Sequence, residues 1–221
     1  TNAEGSYRHK KQSGGRGQFG EVHIRMYPFP RGTKPEDYCT KERFPHFKEF
    51  HYDEHHNFVW INSVVGGTIP SNFLPAVEKG FKDRMEKGVI AGHMVQDVAV
   101  EVHFGKYHDV DSSEAAFKIA GSMAFRNVFQ QARPALLEPV MLVTLAVPEE
   151  SVGDVIGDLN SRRGRPLGME GAGGVSEVKA EVPMAEMLTY APDLRSITGG
   201  RGDYTMEFLR YEEVPGHLAQ K

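Results

Sequence analysis

The sequence of 221 residues lacks the features that mark several classes of protein. It has one cysteine, Cys39, so an intramolecular disulfide framework is excluded and a reducing compartment is compatible with the sequence. We expect Cys39 to be an unreactive thiol in a loop. No apolar run approaches the roughly 20 residues of a membrane-spanning helix, and no charged-then-apolar leader opens the chain. We therefore expect a cytoplasmic protein with no membrane partner. The first residue is Thr1 rather than methionine, so we also expect a fragment of a longer protein.

Motifs for catalysis are missing as well. No G-x-x-x-x-G-K-[ST] phosphate-binding loop occurs, so this chain is expected neither to bind nor to hydrolyse GTP and to carry no cofactor of its own. His103, His108 and Asp109 have no nucleophile at a useful spacing. We predict that the chain by itself is not an enzyme and has no catalytic residue.

The overall composition is that of a soluble globular protein, with 39% hydrophobic and 25% charged residues. The net charge of −4 is unevenly distributed, since residues 1–133 carry +2 and residues 134–221 carry −6. Basic residues cluster at the start of the chain: Arg8, Lys10, Lys11, Arg16 and Arg25. A local positive end on an acidic protein favours contact with RNA at one place only.

Hydrophobic periodicity predicts strands at 16–26, 58–65 and 97–104, and helices at 69–87 and from 111 to about 133. Asp111 is expected to cap the second helix, with Glu114 reaching back to its free N–H groups. Residues 27–57 show no sustained periodicity, so we expect a solvated insertion, and deletion of about residues 31–57 is expected to leave both cores folded. The alternative is that its aromatic residues Tyr38, Phe44, Phe47 and Phe50 pack onto the sheet of the first domain. Pro134 and Pro139 cannot extend the preceding helix and place the boundary between domains 1–133 and 134–221.

The second domain shows a regular order of elements. Its first strand, 141–147, is apolar on both faces and is therefore predicted to be central. A helix at 149–163, strands at 165–170 and 175–183 joined by a glycine turn, a helix at 184–197 and a strand from Tyr204 to Phe208 follow. This β-α-β-β-α-β order predicts a ferredoxin-like fold.

Two turns in the first domain carry polar side chains. The first is the stretch 13–20, in which Gly15-Arg16-Gly17-Gln18-Phe19-Gly20 formally matches the dinucleotide-binding fingerprint. That site needs a helix after the glycines, whereas residues 21–25 alternate like a strand, so the match is rejected. The second turn is His108-Asp109-Val110-Asp111-Ser112-Ser113-Glu114. Neither is a hydrolytic constellation, and both suit contact with a polyanionic surface.

These stretches carry a family resemblance. Residues 12–20, Gly66-Gly67-Thr68-Ile69-Pro70 and residues 107–123 resemble the C-terminal half of bacterial elongation factor G, and the likeness resumes from 136 to 215. It fails between about 27 and 57, which is compatible with a divergent paralogue. The resemblance implies an α+β protein of two domains, domain IV with the ribosomal protein S5 domain 2-like fold and the ferredoxin-like domain V. GTP and Mg²⁺ would be bound by a GTPase domain upstream of this chain.

The resemblance also implies a partner and a set of contact residues. In elongation factor G the two loops of domain IV enter the decoding region of the ribosome and contact messenger and transfer RNA during translocation. The resemblance therefore makes four residues candidates for contact with RNA: Arg16, Gln18, His108 and Asp109. It also implies that the factor is a monomer. Arg162, Arg163 and Arg165 match a domain V segment that meets ribosomal RNA and a stalk-base protein, although cations at a helix end also complement the helix dipole. A role in ribosome recycling or ribosome protection is the alternative within translation.

A different hypothesis concerns the histidines of the insertion. His46, His51, His55 and His56 lie close in sequence to Asp53, Glu54 and Cys39, and these are side chains that bind transition metals. No C-x-x-C or H-x-x-x-H spacing on a regular element supports a metal-binding module, so we predict no metal ligands and keep the module as an alternative.

Overall fold

The computed structural model describes residues 1–219, which divide into two compact units, the first spanning Thr1–Pro134 and the second beginning at Ala135. The first unit contains β1 (Ala3–Lys11), β2 (Gln18–Pro28), α1 (Pro35–Tyr38), β3 (Glu49–Asp53), β4 (Phe58–Asn62), α2 (Leu74–Lys87), β5 (Val98–Lys106) and α3 (Glu114–Gln131). The second contains β6 (Leu137–Pro148), α4 (Val152–Ser161), β7 (Arg165–Ala172), β8 (Val175–Pro183), α5 (Tyr190–Thr198) and β9 (Asp203–Glu213). Short 3₁₀ turns precede α2, α4 and α5.

The first unit is built on a five-stranded sheet in the order β1-β2-β5-β4-β3. β4 and β5 are parallel and joined through α2, and every other neighbouring pair is antiparallel. Side chains on one face of the sheet, such as Val22, Trp60 and Val100, pack against the apolar sides of α2 and α3, for example Phe81 and Phe117. This arrangement confirms the α+β prediction for the first unit.

The opposite face of the same sheet is also covered, and this corrects the expectation of a solvated insertion. Alternate residues of β4 and β5 point to opposite faces, so Val59, Ile61 and Ala99 face away from the helices. Aromatic residues of the stretch 27–57 cover them, and Phe29 and Phe44 are fully buried there. The stretch therefore forms a second core. Hydrophobic periodicity does not indicate this second core, because its buried aromatic residues lie in loops and follow neither helical nor strand spacing.

Three further sequence expectations are wrong in detail. The basic opening segment, where no strand was predicted, forms the edge strand β1. Ser113, not Asp111, caps α3, since the Ser113 hydroxyl accepts a hydrogen bond from the Ala116 N–H at 3.1 Å. Pro139 does not lie at the boundary but inside β6, opposite Tyr211 of the edge strand β9. A proline is tolerated there because the pairing of β6 with β8 begins only at Val140, so at Pro139 the strand has a neighbour on one side only.

The second unit follows the predicted pattern. Its four antiparallel strands are ordered β7-β8-β6-β9, so β6 is central as its two apolar faces indicated. Val178, Ala180 and Val182 of β8 are fully buried against α4 and α5, in a core that includes Leu159 and Tyr190. α5 ends at Gly199, which adopts a left-handed conformation with φ of 60°. The ferredoxin-like prediction is confirmed. Within residues 1–219 no helix combines the length and apolar character needed to cross a membrane.

Candidate functional site

The two polar turns predicted from the sequence meet at one end of the first unit. The β1–β2 turn and the loop between β5 and α3 are joined by a parallel bridge between Phe19 and Ser112. The Phe19 N–H donates to the Asp111 carbonyl at 3.0 Å. We call residues 12–18 and 107–112 together the tip. Its two halves are far apart in sequence, and backbone hydrogen bonding rather than side-chain packing joins them.

Ser112 is the residue that locks the tip. Its buried hydroxyl donates to the Phe19 carbonyl at 2.9 Å and accepts from the His108 N–H at 2.8 Å. The Ser112 N–H in turn donates to the His108 carbonyl at 3.0 Å. One side chain thus fixes both the turn that carries His108 and its distance from the first loop.

His108 is oriented by the backbone of its own turn. Its Nδ1 lies 3.3 Å from the Val110 N–H and 3.2 Å from the Asp111 N–H, and it accepts from both. A nitrogen that accepts carries no proton, so this arrangement favours the tautomer with the proton on Nε2. The side chain is 57% exposed. His108 therefore offers an N–H donor to an external partner, held in place before the partner arrives.

Arg16 is exposed and tethered at the same time. Its Nε donates to the Val110 carbonyl across the tip at 2.8 Å, and no ion pair of Arg16 occurs within residues 1–219. The next residue must be small, because a Cβ at Gly17 would lie 3.1 Å from both Asp111 Oδ2 and the Lys11 carbonyl. The terminal nitrogens of Arg16 remain available for a phosphate, at a position set by the other loop.

Gln18 and Asp109 complete the set predicted at the tip. The Gln18 Oε1 lies 2.7 Å from Nε2 of His9 on β1, so its amide nitrogen is left as a donor. Asp109 is exposed and offers carboxylate oxygens, which suit ribose hydroxyls or base amines rather than phosphates. His9 was missed in the sequence because the β1 strand that places it opposite Gln18 was not recognised.

The positive charge of the tip is smaller than the sequence indicated. Arg8 pairs with the buried Glu21 at 2.7 Å, and Arg25 pairs with Glu101 at 3.2 Å. Lys10 and Lys11 are exposed, and no ion pair involves them in the described part of the chain. Among the described residues at or beside the tip, the exposed cations without an ion pair are thus Lys10, Lys11, Arg16 and Lys106.

The three arginines predicted in the second unit are held by acids of their own unit. Arg162 contacts Asp158, Asp193 and the Glu186 carbonyl, and its guanidinium lies over the Tyr190 ring at 4.9 Å. Arg163 forms two hydrogen bonds to Glu138, at 2.6 and 3.0 Å, which raise its pKa. Their side chains are only 12% and 27% exposed.

Arg165 differs from the other two arginines. Its side chain is 58% exposed, although it too pairs with Glu181 at 3.0 Å and with Glu212 at 2.8 Å. Of the three candidates, Arg165 is the one that an RNA or a protein can reach without dismantling a buried ion pair.

Two further features bear on chemistry in this chain, a buried thiol and a cluster of possible metal ligands. Burial raises the pKa of the Cys39 thiol to about 12, which keeps the thiol protonated at neutral pH. Among residues 1–219, one group of side chains has the spacing to hold a metal ion, and it consists of His55, His56 and Glu86.

Comparisons with known proteins agree with this arrangement. A sequence model of elongation factor G domain IV matches residues 46–133, and a model of the elongation factor G C-terminus matches residues 135–221. The first match begins inside the stretch 27–57, where no resemblance was recognised. A crystal structure of a Thermus thermophilus protein is similar to the whole chain, with 44% identity and a TM-score of 0.80. The chain spans 29% of that protein's length. With two consecutive family matches over most of its length, the chain belongs to the elongation factor G family, of which it carries domain IV and the C-terminal domain.

Proposed function

We propose that this chain is the ribosome-contacting arm of a translational GTPase, and that its tip enters the decoding site while transfer RNA and messenger RNA move. One observation carries the proposal: two loops are locked together by Ser112 and present Arg16 and the His108 Nε2–H outward from the same end. An arm that must occupy a site needs a tip whose shape is fixed before contact, because ordering it on contact would oppose binding.

The chemistry available at the tip is positioning rather than catalysis. A guanidinium can neutralise a phosphate, while imidazole and amide donors can bond phosphate or ribose oxygens. No nucleophile with a general base accompanies these groups among the described residues of the tip. In this proposal the chain breaks no covalent bond, and GTP and Mg²⁺ are bound by a domain upstream of it.

The second unit is proposed to meet ribosomal RNA and the stalk base of the large subunit. Arg165 is the arginine we assign to that contact, because its side chain is the most exposed of the three. Arg162 and Arg163 support the contact indirectly by holding the end of α4. The factor is proposed to act as a monomer in the cytoplasm, where ribosomes work.

The test uses the full-length factor with His108→Ala and, as a matched control, His46→Ala. Both histidines are exposed and lie in the first unit, but only His108 belongs to the tip. We expect His108→Ala to slow single-round translocation while GTP hydrolysis continues, and His46→Ala to leave the rate unchanged. Equal rates for wild type and His108→Ala would contradict the proposal.

The same proteins distinguish translocation from recycling. A paralogue specialised for recycling would split ribosomal subunits and fail to translocate, whichever histidine is changed. A wild-type factor that splits subunits without translocating would replace the proposed function by the recycling alternative.

A further inference from the structure

We propose that His55, His56 and Glu86 form a binding site for a divalent transition-metal ion, with Zn²⁺ as the best-fitting ion, on the first unit away from the tip. The two histidines belong to the turn between β3 and β4, and Glu86 lies in the last turn of α2. The ligand atoms of all three residues lie within 4.8 Å of one another. The site is independent of the proposed ribosomal role.

The three ligand atoms converge on a common point. Glu86 Oε1 lies 2.7 Å from His56 Nε2 and 3.3 Å from His55 Nε2. A tetrahedral zinc ion with bonds of about 2.0–2.2 Å to nitrogen and oxygen holds its ligands a little over 3 Å apart. Modest rotation of the two exposed side chains, His55 and Glu86, brings the set to that spacing.

His56 is prepared to bind a metal through one nitrogen. Its side chain is only 6% exposed, and its Nδ1 lies 2.7 Å from Asp53 Oδ2. A carboxylate that accepts from Nδ1–H fixes the tautomer in which Nε2 carries a lone pair, and this carboxylate–histidine pairing accompanies metal-ligating histidines.

The buried Nε2 of His56 is the second observation that points to a ligand. Although Glu86 Oε1 is close, the angle at Nε2 is not that of a hydrogen bond, and the nitrogen has no hydrogen-bond partner within residues 1–219. A buried polar atom without a partner is uncommon and costs stability unless water or an ion satisfies it. A metal ion bound between His56, His55 and Glu86 satisfies it.

The turn that carries the two histidines is rigidly held. Asn57 has a left-handed backbone with φ of 45°, and its side-chain amide donates to the Phe29 carbonyl and to Asp97 Oδ1, at 3.0 and 2.9 Å. The His56 carbonyl accepts from the Asp97 N–H at 3.1 Å. On the other side of His56, the His55 N–H donates to Asp53 Oδ1 at 3.0 Å. Because these contacts fix the backbone before and after His56, the site is largely formed before a metal binds.

The donor set is compatible with Zn²⁺. Two imidazoles and one carboxylate are borderline ligands that suit Zn²⁺, and with a water as fourth ligand they complete a tetrahedron. Such an ion would tie the β3–β4 turn to the end of α2 and so fasten the second core to the helical layer. The role we assign to it is structural.

Zinc titration of the purified chain by calorimetry, after removal of bound metal, tests the site. Wild type and the control His46→Ala are expected to bind one equivalent of Zn²⁺ and to gain thermal stability on binding. His55→Ala and Glu86→Gln change exposed side chains, so both are expected to fold and to bind Zn²⁺ at least about tenfold more weakly. Asp53→Asn is expected to lose about 10- to 100-fold in affinity, because it loses the oriented tautomer.

Substitution with Co²⁺ supplies a spectroscopic readout of the same site. Wild type should show the intense visible absorption of a tetrahedral Co²⁺ ion, and Glu86→Gln should not. Absence of one-to-one Zn²⁺ binding in wild type, or equal binding in wild type and Glu86→Gln, would overturn the proposal. In that case His56 would be a buried histidine placed between two carboxylates.

Discussion

The tip and the stretch 27–57 belong to the same unit, and both read as loops in the sequence, but the fold uses them in opposite ways. At the tip the backbone is paired internally and Arg16 and His108 point outward. In the stretch 27–57 the aromatics point inward, and Phe29 and Phe44 lose all contact with solvent. A loop-like sequence therefore does not separate a contact site from a structural loop, whereas the direction of the side chains does.

Phe44→Ala tests whether the stretch 27–57 contributes a buried core, and it is expected to have the largest effect. Phe44 is 1% exposed and lies edge-on to Tyr27, with ring centroids 5.5 Å apart. Truncating a buried phenylalanine typically destabilises by about 3–5 kcal/mol, because a cavity remains. We expect a loss of that size in chemical unfolding, and we expect deletion of residues 31–57 to prevent folding of the first unit.

His46→Ala is the control for Phe44→Ala, since His46 is exposed in the same loop and its replacement should change stability by less than about 0.5 kcal/mol. A similarly small change in the free energy of unfolding for Phe44→Ala would contradict the second core and support the solvated insertion that the sequence predicted.

Ser112→Ala tests the lock of the tip. The variant leaves the Phe19 carbonyl and the His108 N–H without their shared partner, which costs about 1–3 kcal/mol for buried groups. Hydrogen exchange should also quicken at the amide of His108. Ser112→Thr keeps the hydroxyl and serves as the control, and unchanged exchange in Ser112→Ala would show that the tip is held by something else.

Arg8→Ala tests the ion pair between β1 and β2, the strands that lead into the tip, and the test measures the free energy of unfolding at several pH values. Burial alone would raise the pKa of Glu21, but hydrogen bonds from Arg8 and His23 outweigh it and lower the pKa. A lowered pKa contributes stability above the unfolded-state pKa, and this stability is lost as pH falls through the folded-state pKa. Since Arg8 is half exposed, its removal should cost about 1 kcal/mol or less at neutral pH. The loss should vanish in acid, and a loss independent of pH would contradict the assignment.

Arg16→Ala should leave stability unchanged and alter only contact with RNA. Weak RNA binding by the chain should fall with salt, because each neutralised phosphate contributes about −0.7 to −0.9 to the slope of log affinity against log salt. Removing Arg16 should make the slope shallower by about one such contribution. Arg201→Ala, whose guanidinium pairs with Glu150 at 2.8 Å, should not change the slope. A steep wild-type slope would indicate a broad basic face instead of a few cations.

Sequence patterns predicted the second unit almost completely. The signals that predicted it are local: strict alternation in β8, acidic residues before α4 and glycine after α5. Each depends only on residues that are neighbours in sequence, so each predicts its element without knowledge of the fold. In the first unit the helices α2 and α3 and the strands β2, β4 and β5 were predicted for the same reason.

What the sequence missed depends on contacts between distant residues. Phe44 is buried because it packs against the face of β4 and β5 that points away from the helices. No pattern in the residues next to Phe44 indicates this contact. His56 and Glu86 lie on different elements, so no ligand spacing joins them in the sequence. Ser113 rather than Asp111 caps α3 because the helix begins at Glu114, so Ser113 is the residue that directly precedes it.

The measurement that tests the account most directly is backbone-amide NMR of this chain during titration with an RNA hairpin carrying the decoding-region sequence. We expect the largest shift changes at residues 12–18 and 107–112, smaller ones at Arg165, and none in the stretch 27–57. Changes centred on the stretch 27–57 or on Arg162 and Arg163, with the tip unaffected, would contradict the proposed role of the tip.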